Sequence, residues 1–358
     1  MDNHQQTAST CIVIVNWKNA WDTLECLESV LRLDQRNWVA FVCDNDSQDG
    51  SIDIFKKWAE RLVCVSTLSP PAGLPQGPSR SDTEFNVFFE KPLNPSAEPR
   101  VIAYPAKSIV FIENDNNAGF AGGNNVGLKF ALSHPEARWV WLLNNDTVVE
   151  PSALDWQIKR SQTHARPHMI GVTIMEYYEP QNVQYNGGAS YNHFTTQVRP
   201  IRQGVPPHGL ATANFENEIE SQISYISGAS MFLPMSTLKI IGLMDDRYFL
   251  YYEELDWIAD HRATLDLLYA SRAVIYHKEG GTTGGKTTQK IKSATSEYYA
   301  ARSRLMYTLK HRPAALVTVI PIQFFALFKR ALINRQIKNA KIVLKASWDA
   351  IKIHRAIP

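Results

Sequence analysis

Apolar and polar positions come in blocks along the first half of the chain. Cys11 to Trp17 (CIVIVNW) is an apolar run of the kind expected for a strand covered on both faces. Trp21, Leu24, Leu27 and Leu31 then recur every three to four residues, which predicts a helix. Trp38 to Cys43 (WVAFVC) predicts a second buried strand, and Ile54, Trp58 and Leu62 mark the next helix. Ser108 to Ile112 (SIVFI) and Trp139 to Leu143 (WVWLL) predict a third and a fourth strand. Such alternation predicts an α/β fold with a parallel sheet and right-handed crossovers. Ligands of such sheets bind beyond the carboxyl ends of the strands. Asp44-Asn45-Asp46-Ser47, leading to Asp49-Gly50-Ser51, and Asn144-Asn145-Asp146 both follow strands directly, so both fall on that rim.

The second half has a different rhythm. Ser224 to Phe232 (SYISGASMF) reads as a small-residue strand or turn, and Ser236 to Ile241 as a short helix. Glu253 to Arg262 predicts a helix, Leu267 to His277 contains a strand (AVIYH), and Tyr298, Arg302, Leu305, Met306 and Leu309 mark a further helix. Residues 66–107, rich in Pro, Ser and Gly but containing Phe85 to Phe89 (FNVFF), interrupt the first half. They read as a solvated insertion, with a lid or partner-binding flap as the sharper alternative.

Ala314 to Phe328 is uncharged, apolar and interrupted by Pro321. From Lys329 onward eight Lys or Arg residues stand against one acid, Asp349, and Ile333, Ile337, Ala340, Leu344, Trp348 and Ile351 share a helical face. An apolar hairpin followed by a basic amphipathic helix suits an anionic membrane surface. The alternative is a helix packed on the domain with its lysines in water. No run reaches the roughly 20 apolar residues of a simple spanning helix, and no solenoid-type repeat is present.

Composition narrows the classes further. With 358 residues, 44% hydrophobic and 20% charged, the chain can bury a substantial core, which excludes wholesale disorder. A net charge of +2 offers no whole-protein argument for a nucleic-acid partner. The polar start, MDNHQQTAST, has no signal-peptide core, so a cytoplasmic protein is expected. Cys11, Cys26, Cys43 and Cys64 lack paired metal-type spacing and read as reduced thiols, Cys11 and Cys43 in the core.

Several polar constellations could carry chemistry. Asp44, with Asp46 and Asp49 behind it, could accept the imide N–H of uracil or thymine or a ribose hydroxyl, although Asp, Asn, Ser and Gly also build ordinary turns. Residues 116–127 (NNAGFAGGNNVG) combine four glycines for close backbone approach with asparagine amides. They do not spell G-x-G-x-x-G and follow the third strand, which disfavours a nicotinamide or flavin fold. Asp146 could hold a hard divalent cation bridging a diphosphate, and His277 could add a nitrogen ligand that favours Mn over Ca, although a lone histidine is usually structural. In FLYYEELDW (249–257), Glu253, Glu254 and Asp256 crowd one helix start, where the helix dipole favours acids. A general base tuned by burial is the functional reading.

Taken in order, VNW, DN-x-S-x-DG-S, N-x-GFA-x-GNN-x-G, LLNNDTVVEP, SGASMF, FLYYEELD and YH resemble the family-2 glycosyltransferases over residues 10–310. The likeness is greatest to the bacterial rhamnosyltransferase-like branch that builds cell-surface polysaccharide. The resemblance implies a GT-A fold: a Rossmann-like, mostly parallel sheet flanked by helices. Its nucleotide-sugar half (10–150) and acceptor half (151–310) would be fused across one sheet, with a basic helical segment (311–358) beyond. By the same resemblance Asn16 and Asp44 would meet the nucleotide, Asp46 the ribose, and Gly119, Gly122, Asn124 and Asn145 the donor sugar and diphosphate. Asn144-Asn145-Asp146 occupies the place of the D-x-D metal motif with its first acid replaced, leaving Asp146, with His277, as metal ligand for Mg or Mn. Glu254 stands where the catalytic base is usually Asp, and Asp256 is the second candidate.

The implied reaction is an inverting, metal-dependent transfer of rhamnose or another hexose from a dTDP- or UDP-sugar. The acceptor would be a hydroxyl of a glycan or lipid-linked substrate at the inner face of the cell membrane, reached through residues 314–358. Three rivals remain. A sugar-nucleotide pyrophosphorylase would need a Gly-rich loop where the chain has Lys18-Asn19-Ala20. A non-catalytic nucleotide-sugar-binding module would not need Glu254, Asp256 and His277 together. A peripheral membrane scaffold would explain only the C-terminal segment.

Overall fold

Strands too apolar to face water on either side force helices onto both faces of one sheet. The computed structural model describes residues 9–61, 84–93, 101–201, 213–278, 293–328 and 337–355. In chain order the first half contains β1 (Thr10–Asn16), α1 (Ala20–Leu31), β2 (Trp38–Asp44), α2 (Ser51–Ala59), β3 (Asn86–Glu90), β4 (Ser108–Glu113), α3 (Gly119–Ser133), β5 (Trp139–Asn144) and β6 (Thr147–Val149). Then come α4 (Ala153–Gln162), β7 (His168–Glu176), β8 (Val183–Asn186), β9 (Gly188–Asn192), β10 (Gln197–Pro200), α5 (Ala213–Gln222), β11 (Tyr225–Ile226), β12 (Ser230–Pro234) and α6 (Met235–Ile241). The chain continues through α7 (Glu253–Asp260), β13 (Asp266–His277), α8 (Ala294–His311), α9 (Leu316–Phe328) and α10 (Ile337–Arg355).

The main sheet has ten strands among the described residues, in the order β3-β4-β2-β1-β5-β12-β7-β13-β6, with β8 on β7. It is parallel from β3 through β5. β12 enters antiparallel between β5 and β7, and β13 runs parallel to β7. The architecture is therefore α/β with a mostly parallel sheet flanked by helices, and one sheet runs through both halves of the chain. Side-chain alternation divides the core. Ile12 and Ile14 of β1 face Leu24, Leu27, Phe55, Trp58 and Leu154 of α1, α2 and α4. Val13 faces the other layer with Leu128, Phe130, Leu238 and Ile241 of α3 and α6. Cys11, Cys26 and Cys43 are free and buried, and burial pushes the Cys26 thiol up to about 12. Cys64 lies outside the described residues.

Three expectations are refined. The FNVFF patch is no surface insertion: β3 pairs in parallel with β4, Phe89 stacks on Phe111 at 5.3 Å and Phe88 meets Tyr104 edge-on at 5.2 Å. Aromatic stacking on β4 draws this segment into the sheet, while the lid reading for 66–83 and 94–100 lies outside the described residues. Second, the glycine–asparagine segment runs as helix from Gly119 onward. The glycines let α3 lie close to β1: a β-carbon at Gly127 would meet Val13 at 2.4 Å, and one at Gly123 would meet Val15 at 2.8 Å.

Third, the predicted α10 stripe divides: Leu344 and Trp348 point outward, while Ile351 packs half-buried on the domain beside Val343, Ala346 and Ala350. Small side chains let α10 approach α8 closely, and that close packing outweighs the larger residues of the expected stripe. Ile333 lies outside the described residues. Among those described, no helix is long and apolar enough to cross a membrane.

Candidate functional site

Parallel register brings the carboxyl ends of β1, β2 and β5 level: Asn16 pairs with Asp44, and Val15 with Asn144. A buried chain of hydrogen bonds follows this edge. The Asn145 amide donates to Thr23 Oγ1 (2.9 Å), and Thr23 Oγ1 donates to Asn16 Oδ1 (2.7 Å). Asn16 Nδ2 in turn donates to Asp44 Oδ1 (2.6 Å) and to Ser47 Oγ (3.1 Å). Asp44 also accepts from the Ser47 hydroxyl (2.6 Å) and the Ser47 backbone N–H (3.1 Å). Asp46 sits in the left-handed region at φ 54°, and its carboxylate takes both bonds of the Gln48 amide (2.9 and 3.1 Å). The two rim clusters read from the sequence thus form one network. Thr23 is the link that sequence reasoning missed, because a threonine in the first turn of a helix carries no distinguishing signal.

The start of α3 holds the opposite wall. Gly119 has φ 73°, and a β-carbon there would lie 2.1 Å from the Phe249 carbonyl oxygen. Only glycine fits this backbone conformation and this approach. The Phe120 N–H donates to Phe249 O (2.8 Å), and the Asn125 side chain clamps Met244 through N–H and C=O (3.0 and 2.8 Å). The Asn45 amide donates to Asn117 Oδ1 (3.0 Å) and Gly119 O (2.9 Å), tying β2 to the same turn. Gly122 faces Asp246, whose β-carbon would be 4.0 Å from an added one. Asn124 is buried and donates its amide to Phe120 O (2.9 Å). Gly119 and Asn125 therefore shape the segment leading into α7, while Asn124 bonds back within α3 itself.

That segment enters α7 through Tyr251 (φ 67°) and Tyr252 (φ 73°), a conformation unfavourable for bulky side chains. The strain delivers two adjacent carboxyls, Glu253 buried and Glu254 half-buried. Burial pushes the Glu254 carboxyl up to about 7, against the opposing effect of its own and the Gly228 backbone N–H groups. Burial, together with the Glu254 charge, raises Glu253 well above the usual carboxylate range, and Glu253 Oε2 has no hydrogen-bond partner. Gly228 lies against Glu254 Oε1, where a β-carbon would be only 2.3 Å away, and the next carbonyl, Ala229 O, accepts from the Asn144 N–H (3.1 Å). One turn, Gly228-Ala229, thus joins Glu254 to the Asn144-Asn145-Asp146 corner.

Asp256 behaves otherwise. It is 1% exposed and held by Lys310 Nζ (2.9 Å) and His311 Nε2 (2.7 Å) of α8. Lys310 and His311 occupy both Asp256 oxygens in bonding between α7 and α8, which leaves Asp256 less suited than Glu254 to the role of base. Asp256, Asp260 and His311 are the group of three potential metal ligands found among the described residues. Lys310 Nζ already bridges Asp256 and Asp260, at 2.9 and 2.7 Å, and supplies the positive charge there.

The pairing of β6 with β13 sets Thr147 opposite His277 and brings Asp146 to the His277 ring. Asp146 Oδ1 and His277 Nε2 are 3.2 Å apart. Burial acts to raise the Asp146 carboxyl, but the His277 contact and the nearby Lys278 charge hold it below its ordinary value. His277 Nδ1 donates to Gln184 Oε1 (2.8 Å) on β8. With Nδ1 bonded to Gln184, Nε2 is the ring nitrogen left facing the Asp146 carboxylate. Two acceptors so placed need a proton or a cation between them. An oxygen and an imidazole nitrogen suit Mn or Mg, and Gln184 is the outer partner that fixes the ring. Gln184 had no sequence signal; only the β7–β8 pairing brings it there.

No family model matches the chain. It is 24% identical over 156 residues to the low-salt glycan biosynthesis hexosyltransferase Agl10 of Haloferax volcanii, a stretch that is 42% of this chain and 45% of that protein. The match thus spans less than half of the relative. Among solved structures, the mannosyltransferase PcManGT from Pyrobaculum calidifontis in complex with GDP-Man and Mn2+ is 11% identical, covering 99% of this chain and 77% of that one, at a TM-score of 0.48. S. aureus TarS 1-349 in complex with UDP-GlcNAc is 11% identical, covering 96% and 81%, at a TM-score of 0.47.

Proposed function

We propose that the protein is a glycosyltransferase of GT-A type that inverts configuration at the transferred sugar. The observation that carries this reading is Glu254, raised to about 7 by burial and joined through Gly228-Ala229 to the corner where Asp146 meets His277. A base working near neutral pH beside a diphosphate-binding corner is what sugar transfer to a hydroxyl needs. Glu254 takes the acceptor hydroxyl proton as that oxygen bonds to the anomeric carbon. The bond from that carbon to the diphosphate breaks on the opposite face, and its electron pair leaves with the nucleoside diphosphate. Asp146 and His277 would hold a Mg or Mn ion, which would supply positive charge for the departing diphosphate.

In this reading Asn16, Asp44 and Asp46 receive the nucleoside, and Gly119, Gly122, Asn124 and Asn145 line the donor's sugar and diphosphate. Family 2 and its rhamnosyltransferase-like branch, a dTDP- or UDP-linked rhamnose or other hexose, and a glycan or lipid-linked acceptor in surface polysaccharide synthesis are the finer assignments. They rest on the ordered motifs and on the partial likeness to a hexosyltransferase. The reaction would run at a membrane face reached through residues 314–358.

The test is a panel of nucleoside-diphosphate sugars, with and without Mn or Mg, read by melting temperature and by sugar transfer. Metal-dependent stabilisation by one donor, with transfer abolished in Glu254→Gln, supports the assignment. A folded protein stabilised by no donor overturns it.

A further inference from the structure

The outer surface of the C-terminal helices carries two stripes that nothing among the described residues covers. On α9, Val317, Ile320, Pro321, Phe324, Phe325 and Phe328 are exposed, Phe325 to 67%. Their spacing puts them on one side of the helix, and α9 carries no charge along its thirteen residues (LVTVIPIQFFALF). On α10, the exposed positions Lys341, Leu344, Lys345, Trp348, Lys352 and Arg355 form a second stripe, four cations around a leucine and a tryptophan that is 58% exposed. The Lys352 ammonium lies 5.7 Å from the Trp348 ring. Gln323 Nε2 donates to Ser347 Oγ (2.6 Å), so the helices are joined beside Phe324 on one and Trp348 on the other.

The chain adds a third element from far away in sequence. Phe194, in the β9–β10 turn, is also exposed, and its carbonyl accepts from Thr318 Oγ1 of α9 (2.7 Å). The preceding strand bears Tyr191, whose ring packs edge-on against Tyr252 at the start of α7 (5.8 Å) and Tyr307 of α8 (5.7 Å). The exposed face and the helix that holds Glu254 therefore belong to one packed unit.

A run of exposed aromatics this dense marks an interaction surface. The charge beside it identifies the occupant. Every exposed charge on the described part of the α10 stripe is positive, and the one acid of α10, Asp349, accepts from the Tyr298 hydroxyl (2.7 Å). At about 1.5 Å per residue α9 is roughly 20 Å long, too short to span a bilayer and suited to lying in its interface.

We infer that α9, α10 and the Phe194 turn form a docking face for an anionic lipid bilayer. The α9 stripe and Phe194 enter the acyl boundary, Trp348 lies at headgroup depth, and the α10 cations meet the lipid phosphates. The inference deepens the membrane part of the proposed function by naming the residues and the lipid charge, and it is read without any sugar transfer.

The test is sedimentation of the full chain with phosphatidylcholine vesicles, with and without phosphatidylglycerol. Binding should require phosphatidylglycerol and weaken with added salt. Lys341→Ala/Lys345→Ala/Lys352→Ala should weaken it on the order of 100-fold, and Phe324→Ser/Phe325→Ser at least about tenfold. All five side chains are exposed, so circular dichroism and melting should stay unchanged in both variants. No binding by the folded wild-type chain, or binding indifferent to both variants, overturns the inference. A solution dimer abolished by Phe324→Ser/Phe325→Ser, without vesicle binding, would also overturn it and give the face to a second copy. Vesicle binding in a protein that responds to no donor would refute the transferase reading and leave the docking face standing.

Discussion

Asp44 and Glu254 are both carboxylates at the candidate site, and their surroundings differ in kind. Asp44 accepts three hydrogen bonds from Asn16 and Ser47 and terminates a network reaching Asn145. Glu254 is raised to about 7 by burial, beside a Glu253 whose Oε2 has no partner, on a helix entered through two left-handed tyrosines. The first arrangement lowers the free energy of the fold and fixes the shape of the rim. The second costs folding energy and persists because the surrounding structure imposes it. Buried polar groups are normally satisfied, so a raised Glu254 beside the unpartnered Glu253 Oε2 is where reactivity is expected. The comparison teaches that two acidic motifs of equal prominence in sequence have unequal meanings in space.

The sharpest way to break this contrast is Glu254→Gln. Turnover at saturating donor should fall by about 10²–10⁴-fold while the donor-induced rise in melting temperature survives. Turnover within twofold of wild type would remove Glu254 from the base position. Gln184→Ala tests the metal corner next: losing the partner that orients His277 should weaken Mn affinity by about 10–100-fold, measured by Mn titration of donor-induced stabilisation.

Asn16→Ala attacks the satisfied rim instead. Leaving Asp44 and the Thr23 hydroxyl short of a partner should cost about 1–3 kcal/mol in urea unfolding, with the pH profile of turnover unmoved. The smallest expected effect is in the pH dependence of stability. Folded Glu254 keeps its proton up to about 7 whereas the ordinary value is 4.5, so the folded state binds more protons across that window. Stability should therefore fall as pH rises from about 4.5 toward 7, and Glu254→Gln should flatten that slope in a urea series at stepped pH. The turnover of the wild type should rise over the same range.

Much of this was legible in residue order. The apolar runs at 11–17, 38–43, 108–112 and 139–143 are all strands of the parallel half, because burial on both faces demands continuous apolar side chains. Asp146 and His277 were singled out separately and lie 3.2 Å apart. The glycine-rich segment stays ambiguous in sequence because glycine serves close helix–sheet packing as readily as close ligand approach, and composition does not separate the two. FNVFF misled because a strand at a sheet edge, set in a Pro- and Ser-rich context, shows no periodicity of its own. In α10 Leu344 and Trp348 marked the outside, since tight packing on α8 selected Val343, Ala346 and Ala350.

Local pattern alone determined the α/β class, the rim position of both acidic clusters and the buried state of Cys11 and Cys43, because these follow from period, length and hydrophobicity. Tertiary structure decided which acid is free to react. Glu254 and Asp256 are two residues apart on one helix, so they point to different neighbours: Gly228 on one side, Lys310 and His311 on the other. Desolvation and charge at those neighbours, set by segments far away in sequence, raise one carboxyl toward neutrality and lock the other into an ion pair.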